Sequence, residues 1–101
     1  MKKNKKKSKY VTGITKAGFR FSIDPEIMTD MRFVELMEKV DSTGFGVSDL
    51  LNLMLGKKQK ENLYKFCQEK DGKIPARKIF DTIKEIMEDE KVKNSISLPE
   101  F

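Results

Sequence analysis

The feature that most constrains the fold is a change of hydrophobic period at Asp24-Pro25-Glu26. Before it, Phe19, Phe21 and Ile23 alternate with Arg20 and Ser22. That period of two belongs to a strand with one apolar face. Lys16-Ala17-Gly18 reads as a turn, so the stretch from Tyr10 to Ile23 is expected to form a β-hairpin. Gly13 weakens the first strand, and two strands alone are marginal in water. The hairpin must therefore pack on something else. After the boundary the apolar spacing is helical. Aspartate accepts from free N–H groups of a first helical turn, proline fits the first position, and Glu26 suits the positive end of the dipole.

From Asp24 the first helix is expected to run to about Val40. Asp41-Ser-Thr-Gly-Phe-Gly46 breaks it as a hinge, with Phe45 expected to dock on the core. Ser48 caps a short second helix ending near Leu55, with Gly56 as the residue just beyond its end. Lys57 to Lys70 reads as a third helix, and Asp71-Gly72 as a turn whose Ile74 plugs the core. Pro75 opens a fourth helix continuing to about Glu90. Its residues Ala76, Ile79, Phe80, Ile83, Ile86 and Met87 form one apolar face, with Lys78, Asp81, Lys84, Glu85 and Glu88 opposite. The fold class is mainly α: an N-terminal β-hairpin followed by about four helices in a small single domain. The expected organisation is a disordered Lys-rich tail over 1–9, one domain over 10–94 and a frayed tail over 95–101.

The first helix carries more apolar surface than one core face needs. Ile27, Met31, Phe33, Val34, Leu36, Met37 and Val40 sweep about 220° at the helical step per residue. Two readings follow: the hairpin and the other helices cover the whole stripe, or one edge stays free for a partner. The edge residues Met28, Phe33 and Leu36 are the candidate protein-binding residues, and methionine supplies an adaptable apolar contact.

Composition removes several kinds of chemistry. The 101 residues include no histidine and one cysteine, Cys67. Imidazole acid–base catalysis, Cys–His nucleophiles and the usual zinc sites lose their parts. Cys67, at helical spacing from Leu63, reads as a small core residue. A calcium loop built around Asp71-Gly72 would need Cys67 as its first ligand and Lys78 as its last, so that site is not expected. Gly44-Phe45-Gly46 lacks the lysine and hydroxyl of a phosphate loop. Glu85, Glu88, Asp89 and Glu90 read as a solvated face. No catalytic residue, metal ligand or cofactor is assigned, and a non-enzyme is expected. No apolar run approaches the roughly 20 residues that span a bilayer, and no apolar segment follows Met1 to Lys9 as in a secretory signal.

The net charge of +5 has a local origin. Lys2, Lys3, Lys5, Lys6, Lys7 and Lys9 supply six of the 21 basic residues. The other 15 face 16 acidic residues, a net charge of −1. A lysine arm binds nucleic acid nonspecifically through counterion release, or serves only as a solvated end. It holds no arginine or aromatic for stacking. A helix-turn-helix reader around Gly56 would present Lys57, Lys58, Lys60 and Lys65, but Glu61 and Glu69 share that helix and no arginine is there for guanine.

The order of segments carries a resemblance. Gly18-Phe-Arg-Phe-Ser-Ile-Asp-Pro-Glu-Ile-Met-Thr-Asp30 precedes Met31-Arg-Phe-Val-Glu-Leu36. Leu51-Asn-Leu-Met-Leu-Gly-Lys-Lys-Gln-Lys-Glu-Asn-Leu-Tyr64 follows, then Asp71-Gly-Lys-Ile-Pro-Ala76, Ile83-Lys-Glu-Ile-Met87 and Val92-Lys-Asn-Ser95. Over residues 18 to 95 the chain resembles the small tail assembly chaperones of long-tailed bacteriophages and prophages of Gram-positive hosts. The resemblance implies a mostly helical non-enzyme that coats the apolar tape measure protein before tail tube subunits polymerise around it. It further implies action in the host bacterial cytoplasm, exclusion from the finished virion, and a longer form made by ribosomal frameshift that engages the tail tube protein. Self-association stays open, and so does the alternative of a small nucleic-acid-binding or regulatory protein acting through the lysine arm.

Overall fold

The computed structural model describes residues 10–95. The tails expected over 1–9 and beyond Ser95 lie outside the described residues. The chain forms β1 (Val11–Ile14), β2 (Arg20–Ile23), a 3-10 turn (Pro25–Thr29) and four helices. These are α1 (Met31–Thr43), α2 (Val47–Cys67), α3 (Ala76–Met87) and α4 (Glu90–Asn94). The mainly helical architecture with an N-terminal hairpin is the one expected.

β1 and β2 pair antiparallel, with Val11 opposite Ile23 and Ile14 opposite Arg20. Thr15 closes the turn: its N–H donates to the Phe19 carbonyl at 2.9 Å and its hydroxyl accepts from the Phe19 N–H at 3.0 Å. Phe19, Phe21 and Ile23 are buried, as their alternation requires. Gly13 sits where a Cβ would lie 2.6 Å from Cζ of Phe21, so only glycine lets that ring lie across β1. The hairpin packs on α2 and, through β1, on α4.

The expected first helix is two elements. Asp24 accepts from the Glu26 N–H at 3.0 Å and starts the 3-10 turn. Asp30, in an extended conformation, then starts α1 by accepting from the Arg32 N–H at 2.8 Å. The Arg32 guanidinium returns two bonds to the same carboxylate, at 3.0 and 2.7 Å. Asp30 therefore resets the helical phase, and Ile27 and Met28 no longer continue the apolar stripe of α1. Met31 faces solvent, while Phe33 enters the core.

α2 leaves helical geometry at one residue, Gly56 (φ 84°, ψ 162°). That left-handed φ suits glycine, and the break falls where the sequence placed a helix end. Gln59 bridges the break. Its amide nitrogen donates to the Leu55 carbonyl at 2.8 Å and the Ser22 carbonyl at 2.6 Å, and its oxygen accepts from the Ser22 N–H at 2.8 Å. One side chain thus ties α2 at its break to the outer edge of β2.

The core comprises Phe19, Phe21, Ile23, Phe33, Leu50, Leu51, Met54, Leu55, Leu63, Cys67, Ile79, Ile83, Ile86 and Val92. Burial pushes the Cys67 thiol above its ordinary pKa, with the Lys78 charge pulling the other way. The fourth helix ends earlier than expected, at Met87. Asp89 accepts from the Lys91 and Val92 N–H groups and starts α4, which drives Val92 fully into the core. Ser95 completes the end of α4, its hydroxyl donating to the Lys91 carbonyl. Two expected core contacts are absent. Phe45 is 72 % exposed, because its N–H bonds the Thr43 hydroxyl and holds it outward in the link between α1 and α2. Ile74 is 37 % exposed, because the turn before it closes on itself through Gly72 to Glu69 and Glu69 to Lys73.

Candidate functional site

α1 and α3 both pack on α2 and not substantially on one another. Their divergence leaves a groove. One wall is Val34, Met37 and Val40 of α1; the other is Phe80, Ile83 and Met87 of α3. Leu50 of α2 is the floor. The groove consists of two joined cavities of about 430 and 460 Å³ that share Met37, Asp41 and Met87.

The walls follow from helical spacing. Three apolar residues over seven or eight positions cover about 10 Å of axis, nearly two turns, on each helix. Phe80 is 38 % exposed, and Met37, Val40 and Met87 are half-buried against the core. Two methionine side chains and one phenyl ring at the mouth can repack around different apolar shapes. The rim is charged. Glu38, Asp41 and Glu88 stand on it with Lys84, and all four are exposed. None of the three carboxylates forms an ion pair within the described residues.

The residues singled out from sequence are not brought together. Phe33 is 3 % exposed and belongs to the core, where it also lines the inner wall of the groove beside Val34 and Met37. Its expected place at a free edge of the α1 stripe is instead a place in the core. Met28 is half-buried in the 3-10 turn, packed against the core. Leu36 lines a different depression, between α1 and α2, with Arg32, Glu35, Lys39, Asp49, Asn52 and Leu53. That depression is wide, about 710 Å³, and five of its seven lining residues are charged or polar, although their aliphatic stems with Leu36 and Leu53 leave its surface mainly apolar. By residue type the α1–α3 groove is the more apolar of the two. Sequence reasoning assigned Phe80 and Met87 to a buried face and missed their exposure. The one available signal was their place in the α3 stripe, where Phe80 and Met87 lie together at one edge and Ile86 at the other.

Other chemistry finds little support among the described residues. No group of three or more acidic or cysteine side chains is gathered to hold a metal ion. No described helix is long and apolar enough to cross a membrane. Asp30 is the group with a strongly displaced carboxyl pKa, lowered to about 2 by the Arg32 side-chain bonds and then by the Arg32 N–H. That is the signature of a helix cap with a bidentate guanidinium, not of a catalytic acid. No family model, no curated protein and no solved structure matches this chain.

Proposed function

We propose that this protein is a tail assembly chaperone that holds apolar helical segments of a tape measure protein in the groove between α1 and α3. The observation that carries the reading is the groove itself, an apolar trough about two turns long with helical walls and, among the described residues, no side chain filling it. A trough of that kind accepts the apolar face of one amphipathic helix. The sequence resemblance supplies the partner. Tape measure chains are long, helical and prone to aggregate until the tube encloses them. A chaperone for them needs weak, repeated, displaceable contacts, which a shallow methionine-lined groove provides. On this reading the protein is a non-enzyme acting in the host bacterial cytoplasm and left out of the virion.

The test is co-expression with a tape measure protein, scored by that protein's solubility and by pull-down. Wild type is expected to keep the tape measure protein in solution. Phe80→Glu is expected to abolish that effect while its thermal melt stays close to wild type, since Phe80 is partly exposed. A tape measure protein no more soluble with the chaperone than without it would defeat the proposal. The alternative, nucleic-acid binding through the lysine arm, predicts instead that removing residues 1–9 abolishes duplex binding at physiological salt.

A further inference from the structure

The charge of the groove selects its occupant, an inference that rests on the helix-binding reading above. Three carboxylates, Glu38, Asp41 and Glu88, share the rim with a single cation, Lys84. Within the described residues none of the three is neutralised by an ion pair. We propose that the groove takes an amphipathic helix whose apolar face is flanked by lysine or arginine, on a partner protein.

The same charges argue against the other candidates. The arm over 1–9 is basic, but from Lys2 to Lys9 it has no apolar residue to cover the floor. The segment 96–101 is apolar enough, but it carries Glu100 and no cation, and Pro99 would interrupt a helix. A second copy docked groove to groove about a two-fold axis would set carboxylates against carboxylates. A basic-flanked helix meets both demands at once. Its apolar face covers the trough, and its cations lie over the rim, where they add specificity and speed of encounter more than raw affinity.

The test uses the full chain and two labelled synthetic helices of about five turns. Both carry the same leucine face; one is flanked by lysines and the other by glutamates. Binding is read by fluorescence anisotropy. At about 50 mM salt the lysine-flanked helix is expected to bind about tenfold tighter, and the gap should narrow at about 500 mM as the rim is screened. The double variant Asp41→Lys with Glu88→Lys should reverse the preference while its circular dichroism spectrum and melt stay those of a folded protein. Equal binding of the two helices, or a preference untouched by the double variant, overturns the charge inference and leaves the groove reading standing. If neither helix binds, both readings fall. A concentration-dependent dimer in sedimentation that excludes the lysine-flanked helix would make a second copy the occupant. Binding that tightens about tenfold on deleting residues 1–9 would make it the arm. Either outcome overturns the proposal.

Discussion

The two halves of α2 are treated very differently. Residues 57–67 are covered by the hairpin, which joins Phe19, Phe21 and Ile23 to Leu63 and Cys67 in one core and leaves Phe66 partly exposed beside Phe19. Residues 47–55 lie under the splayed pair α1 and α3, and Phe80 still meets solvent there. Backbone polarity explains why one end must be closed and the other can stay open. A hairpin edge carries unpaired N–H and C=O groups, so Gln59 binds Ser22 on both sides of its peptide unit. Helices α1 and α3 satisfy their own backbone bonds. Leaving a gap between them exposes apolar carbon alone, at about 25 cal/mol per Å². That exposed area is what an incoming helix recovers.

The sharpest break in this comparison is a pair of truncations. Leu63→Ala, at a fully buried position of the sealed end, is expected to cost about 2–5 kcal/mol in urea denaturation. Phe80→Ala, at the open end, is expected to cost about 1 kcal/mol, in keeping with its exposure. Equal losses would mean that the groove is closed in solution. A smaller effect sharpens the account of the seal. Gln59→Ala leaves the Leu55 carbonyl and both Ser22 groups without their partner, at a cost of about 1–3 kcal/mol. Hydrogen exchange at the Ser22 amide should rise more than stability alone dictates.

The third prediction is a pH dependence and the smallest effect. The carboxyl of Asp30 is held at about 2 in the folded chain, below its ordinary value of 3.8. Between these values the unfolded chain binds the proton more readily, so stability falls as pH drops from about 4 towards 2. Above about pH 5 the contribution is complete. Because the pair is solvent-exposed, the change is a modest drop in melting temperature that salt reduces. Asp30→Ala should melt lower at neutral pH and lose this part of the acid dependence.

Much of the fold was legible in local pattern. Phe19, Phe21 and Ile23 announced the strand, Lys16-Ala17-Gly18 the turn, and Gly56 the break in α2. Asp30 was not legible as a cap because apolar residues keep a helical spacing across it, and periodicity cannot see a change of phase. The candidate site was mostly illegible. Whether Phe80 is buried depends on how far α1 lies from α3, and no spacing within either helix encodes that distance. Phe33 and Leu36 lie within α1 itself, and which of them meets solvent depends on how α1 packs against α2.

The methionines allow the most direct test of the groove. Met37 and Met87 line it, Met54 is buried in the core, Met28 lies in the 3-10 turn and Met31 faces solvent. Methyl-labelled protein titrated with a lysine-flanked amphipathic helix therefore reports each surface separately. The account predicts that the Met37 and Met87 methyl signals move together and saturate, with Met54 and Met31 unmoved. Movement at Met28 or Met31 with Met37 and Met87 silent would contradict it and place the binding surface elsewhere.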